Sequence, residues 1–194
     1  GIELAQDLAP ELRKHIFDMI SRTVRGQYLD AVGMNMNYGD VTYETILDRY
    51  LLKTAWYSFA TPMLMGAHIQ GDYSINDMAI IEHNSLIFGK LFQIRDDAKD
   101  MIAESHGKNR FGDIFSNQTT WLTLAIKENY PEAFEQILAA KTAKSSSLLE
   151  GIFKEIDLES VYSKAFKQQT DQLQKTDRED LQKTFDELLA LLTL

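Results

Sequence analysis

Apolar residues recur along this chain at three- and four-residue steps, and no segment alternates strictly between apolar and polar, so the pattern predicts a nearly all-helical protein. The first helix is expected over residues 10–32, where Ile16, Met19, Ile20 and Val24 carry the repeat. Residues 33–40 are rich in turn formers, and Thr42 is placed to cap a second helix over 43–68. Pro62, inside that helix, should kink it or end its first half. Residues 71–75 form a turn with Ser74 as N-cap, and a long helix follows over 75–102. Residues 107–113 read as a polar loop. Further helices begin near Thr119 and at Pro131, and helical spacing resumes at Leu148 after the serines at 145–147. A last helix over 177–194 places Leu181, Phe185, Leu188, Leu189 and Leu192 on one stripe. The pattern shows no internal repeat and no interdomain linker, so residues 1–194 read as a single helical domain.

Charge and composition narrow the chemistry. With 20 Lys+Arg against 29 Asp+Glu the net charge is −9, which opposes electrostatic capture of nucleic acid. The absence of Cys removes disulfides, thiolate zinc sites and a Cys nucleophile, and it suits a reducing cytoplasm. No run of apolar residues approaches the ~18 of a membrane span. An anionic substrate therefore needs local lysines or arginines, or a bridging metal ion.

The sharpest local feature is Phe92-Gln93-Ile94-Arg95-Asp96-Asp97-Ala98-Lys99-Asp100. On a helix Gln93, Asp96, Asp97 and Asp100 form one stripe. Like charges at this spacing cost a helix roughly a few tenths of a kcal/mol per pair, which solvent, basic neighbours or a cation must offset. Asp96 and Asp100 stand about 6 Å apart along the axis, which suits a hard divalent ion such as Mg²⁺ sharing its shell with phosphates. Taken alone, such a stripe is more often a solvated acidic face. Three further elements accompany it. Tyr50, Lys53, Thr54 and Tyr57 make a polar stripe on an otherwise apolar helix. Lys108 lies in a Gly-bounded loop, and Gln27 and Asp30 interrupt the first helix.

In this order, GQYLD, KTAWYSF, FQIRDDAKD and GKNRFGDI resemble the trans-isoprenyl diphosphate synthases, the polyprenyl synthetases, over roughly residues 26–124. The resemblance implies an all-α, isoprenoid synthase-type bundle around an apolar cavity, with the N-terminal helices missing. It implies that Asp96, Asp97 and Asp100 hold Mg²⁺ on an allylic diphosphate, Asp96 directly and Asp100 through water. Lys53 and Lys108 match lysines that contact the same diphosphate. Thr54 and Gln93 match residues near the reacting C5 unit, and Gln27 and Asp30 match positions that support the cavity. The implied reaction is prenyl transfer: an allylic diphosphate ionises, isopentenyl diphosphate attacks, and a proton is lost, giving a geranyl-, farnesyl- or geranylgeranyl-type product. The helix over 11–32 resembles the family's dimer helix, which implies a homodimer.

Two departures accompany the resemblance. Gln118 stands where many members carry a second lysine. The family's first aspartate-rich motif and its early basic cluster have no counterpart before Gln27, so the chain reads as the C-terminal part of a synthase. An N-terminal fragment would supply the missing carboxylates, and the chain by itself is expected to be nearly inactive. The alternative is a non-catalytic subunit that pairs with an active synthase and tunes product length.

Overall fold

The backbone N–H groups at a helix start need acceptors, and at several starts a side chain supplies one. In the computed structural model, which describes residues 8–33, 40–102 and 110–193, helix α1 (Pro10–Gly33) opens on its proline. The Thr42 hydroxyl accepts from the Thr45 N–H at 3.2 Å and starts α2 (Tyr43–Tyr50). After α3 (Thr61–Gln70) the chain turns at Gly71, whose φ of 79° is the left-handed conformation that glycine adopts without strain. Ser74 and Asp77 then cap each other: the Ser74 hydroxyl accepts from the Asp77 N–H at 3.1 Å, and the Asp77 carboxylate accepts from the Ser74 N–H at 2.9 Å. That box launches the long helix α4 (Ile75–Ile102).

A short α5 (Gly112–Phe115) is followed by α6 (Trp121–Asn129), capped by reciprocal Thr120–Thr123 bonds. Helices α7 (Pro131–Thr142), α8 (Ser146–Glu155), α9 (Leu158–Thr170) and α10 (Glu179–Leu192) complete the described chain. Ser145 caps α8 and Asp157 caps α9. The described residues contain no strand, and none of their helices is long and apolar enough to cross a membrane.

Pro62 does not end its helix. The chain runs helically from Tyr43 to Gln70, and the irregularity sits upstream, as a π-helical stretch over Leu51–Ala60. There the Thr61 N–H reaches back to the Trp56 carbonyl, five residues earlier. The widened turns lie ahead of Pro62, which has no N–H to contribute.

Helix α4 divides the core. Its first half packs Ile80, Ile81, Ile87, Phe88 and Leu91 against α3 and α10, where Leu181, Phe185 and Leu192 are buried. Its second half packs Ile94, Ala98 and Met101 against α2 and α6–α9. Two glycines set how close the helices come. A Cβ on Gly26 of α1 would lie 2.4 Å from the backbone of Leu52 and Lys53, and one on Gly89 of α4 would lie 2.2 Å from the Ala55 Cβ. The π stretch is therefore gripped from two sides at backbone contact, which fixes where Lys53 and Thr54 stand.

Candidate active site

The grip on the π stretch brings Asp30 of α1 under two cations. The Lys53 ammonium is 2.8 Å from one Asp30 oxygen, and Arg49 Nε is 3.6 Å from the other. Gln118 Nε2 donates to that second oxygen at 2.5 Å, and Arg49 Nη2 donates to the Thr119 carbonyl at 2.5 Å. Asp30, Arg49 and Gln118 are buried, and Lys53 is half-buried. Gln118 thus completes a hydrogen-bonded hub without adding a third positive charge. Charge-assisted bonds of this kind hold the lysine in one orientation.

On α4 the expected single stripe splits into two rows. Gln93 and Asp97 are buried, whereas Asp96 is exposed and Asp100 half-buried. Asp97 turns to α2, where the Tyr50 hydroxyl donates to its carboxylate; the same hydroxyl accepts from the Trp121 N–H at 3.1 Å. Burial pushes the Asp97 carboxyl up to about 8, with Asp113 and Asp96 adding to the shift while Tyr50 and Arg49 oppose it. The folded protein therefore holds this proton across a range where the unfolded chain has lost it. Asp97's share of stability is complete near pH 4 and lost as pH rises through about 8. Urea midpoints of the wild type and Asp97→Asn, measured without divalent cations, should show the wild type's advantage shrinking over that interval. A constant difference would refute the assignment.

The loop after α4 closes on its aspartates. The Phe111 N–H donates to the Asp100 carbonyl at 3.3 Å, and the Asp113 N–H donates to the Asp100 carboxylate at 3.2 Å. Phe111 adopts φ 66° to make this turn. Burial and Asp100 push the Asp113 carboxyl up to about 6; Lys53 opposes this, and Asp96 and Asp30 reinforce it. Asp30, Lys53, Asp96, Asp100 and Asp113 thus share one electrostatic neighbourhood. Among the described residues no three His, Cys, Asp or Glu side chains stand close enough to grip a metal ion in their present rotamers. The donors are nonetheless all carboxylate oxygens, and after burial itself the neighbouring carboxylate of Asp100 does most to raise Asp113. Both features fit a hard cation.

Of the residues singled out in the sequence, Asp30, Lys53, Asp96, Asp97 and Asp100 come together here. Thr54 is buried on the π stretch, and Gln93 is buried one turn before Asp97. Gln27 is exposed on α1, Tyr57 is exposed on the π stretch, and Lys108 lies outside the described residues. Arg49 and Asp113 complete the group without having been singled out. Asp113 closes the Gly-Asp of the loop that carries Lys108, a carboxylate signal visible in the sequence. Arg49 gives no such signal, because its partners Asp30 and Thr119 are remote in the chain.

The architecture is that of the all-α isoprenyl synthases. A geranylgeranyl pyrophosphate synthase from Lactobacillus brevis superposes with a TM-score of 0.74 at 20% identity, over 95% of this chain and 60% of that one. The T. brucei farnesyl diphosphate synthase does so with a TM-score of 0.73 at 18% identity, over 94% and 58%. The sequence goes further than the fold. The polyprenyl synthetase family model matches residues 2–156, and the chain belongs to that family. It is 23% identical over 166 residues to the farnesyl pyrophosphate synthase of Schizosaccharomyces pombe, covering 81% of this chain and 48% of that protein. It is 28% identical over 169 residues to that of Murgantia histrionica, covering 82% and 40%. The chain spans less than half the length of these two relatives.

Proposed function

We propose that this chain carries the diphosphate-binding half of a prenyltransferase that joins an allylic diphosphate to isopentenyl diphosphate. The observation that carries the reading is the group Asp96, Asp100 and Asp113 beside Lys53, whose ammonium Asp30 holds in place at 2.8 Å. Asp96 and Asp100, joined by Asp113, would hold Mg²⁺ through carboxylate oxygens. The bound ion would neutralise the diphosphate as it leaves. Lys53 donates hydrogen bonds to the same diphosphate, and Lys108 is assigned to it as a second cation. Asp97 keeps α4 aligned through Tyr50. Thr54 and Gln93 are assigned to positions near the reacting C5 unit. The exposed apolar side chains Tyr28, Tyr57 and Phe92 offer the hydrocarbon a wall on α1, the π stretch and α4. The released pyrophosphate is the proton acceptor, so the site needs no His or Cys base. The exposed Phe17 and Val24 on α1 support a homodimer through that helix.

Pyrophosphate binding, followed by calorimetry with and without Mg²⁺, tests the reading. Binding should require Mg²⁺ and weaken in Asp96→Ala by at least the ~10–100-fold typical of losing a residue that merely supports a metal ligand. Lys53→Ala should weaken it without removing the Mg²⁺ requirement. Binding that ignores Mg²⁺ or Asp96 would refute the site. The residues hold one aspartate-rich motif, so the 194-residue chain alone should bind Mg²⁺-pyrophosphate yet condense the two substrates poorly. Rapid condensation by the isolated chain would overturn that expectation.

A further inference from the structure

A second cluster of ligating side chains lies on the opposite half of α1. His15 of α1 and His68 near the end of α3 point their Nε2 atoms at each other across 3.1 Å, with ring centroids 5.1 Å apart and planes inclined at 45°. His15 and Asp30 are fifteen positions apart on one helix, about 22 Å at ~1.5 Å per residue, so this pair is separate from the aspartate group.

We propose that His15 and His68 form a binding site for a borderline transition-metal ion such as Zn²⁺, which would staple α1 to α3. Two Zn–N bonds of about 2.0–2.1 Å at a tetrahedral angle place their nitrogens about 3.4 Å apart, within a few tenths of an ångström of the observed separation. The pair is half-exposed to exposed, so an ion has access. Glu82 of α4 and Asp18 of α1 are near enough to bring negative charge to His15, and Lys14 opposes them. Burial and His68 hold His15 below the ordinary histidine value, which favours the neutral form that ligates. Among the described residues no third His, Cys, Asp or Glu stands in ligating position, so water completes the shell. Without metal, one imidazole donates its Nε2 proton to the other. Binding moves that proton to Nδ1 of the same ring, leaving both Nε2 lone pairs for the ion with no proton released. Imidazole selects Zn²⁺, Ni²⁺, Cu²⁺ or Co²⁺ over Mg²⁺, so excess Mg²⁺ does not fill this site.

Titration of the chain with ZnCl₂ in excess Mg²⁺ tests the site. One Zn²⁺ should bind per chain and raise Tm, and Co²⁺ should give visible d–d bands at the same stoichiometry. His15→Gln and His68→Gln should each lose the Zn²⁺ binding, the Tm rise and the Co²⁺ bands, while their metal-free circular dichroism stays that of the wild type. Asp96→Ala should keep all three. The proposal is overturned if the wild type shows no saturable Zn²⁺ binding in excess Mg²⁺. It is equally overturned if the double His→Gln variant binds Zn²⁺ as the wild type does, or if binding follows Asp96 instead of the histidines.

Discussion

Gly89→Ala should lower Tm by on the order of 10 °C, for overpacking of ~1–3 kcal/mol or more in a chain of this size. The new methyl would lie 2.2 Å from the Ala55 Cβ and 2.3 Å from its Cα, where carbon atoms normally rest about 3.5–4.0 Å apart. Relief requires a main-chain shift, because Ala55 has no longer side chain to swing aside. Gly26→Ala meets the same obstacle, with the Leu52 carbonyl carbon and Lys53 nitrogen each 2.4 Å away. Either shift moves the π stretch and draws Lys53 off Asp30, so Mg²⁺-pyrophosphate binding should weaken together with stability. The chain holds its own controls. A Cβ on Gly66 or Gly151 meets nothing within 4 Å, and both positions are helical. There alanine should stabilise slightly, by up to ~1 kcal/mol from helix propensity. Thermal melts of the four variants decide the matter: a Gly89→Ala midpoint close to that of Gly66→Ala would end the close-contact account.

Asp30→Ala should be about as damaging, for an electrostatic reason. Asp30 is the acceptor for Lys53 and Gln118 and the counter-charge of Arg49, which is itself only 6% exposed. Removing one partner of a buried pair leaves an uncompensated charge and costs about 3–5 kcal/mol. In a chain of this length that is again on the order of 10 °C in Tm. Arg49→Met in the Asp30→Ala background should recover part of the loss, because it removes the stranded guanidinium. A double variant no more stable than Asp30→Ala would show that the cost lies in the cavity or in Lys53 instead.

Much of the helix order was legible because it rests on local chemistry. Thr42 and Ser74 cap helices by bonding amides three residues on, and Gly71 ends a helix through its own φ angle. The aspartates of α4 were legible for the same reason, since their spacing is a property of eight consecutive residues. Legibility failed where hydrogen bonding and packing cross between helices. Helical periodicity put Tyr50, Lys53, Thr54 and Tyr57 on one stripe. The π turns instead bury Tyr50 and Thr54, leave Tyr57 exposed and send Lys53 to Asp30. The sequence put Asp96, Asp97 and Asp100 on one stripe, yet Asp97 is buried with the Tyr50 hydroxyl donating to it. Gln118 stood out in the sequence as a missing charge, and its structural role is a hydrogen bond to Asp30, 88 positions away.

By itself the sequence determined the all-helical class, most of the helix boundaries, the acidic motif of α4 and the family resemblance, because each is written in short local patterns, the resemblance in four of them taken in order. Only the tertiary structure decided which carboxylate stays in the polar group, which is buried, and which side chain orients Lys53. Those outcomes depend on two glycines that let three helices meet at backbone distance, a contact that no local pattern encodes.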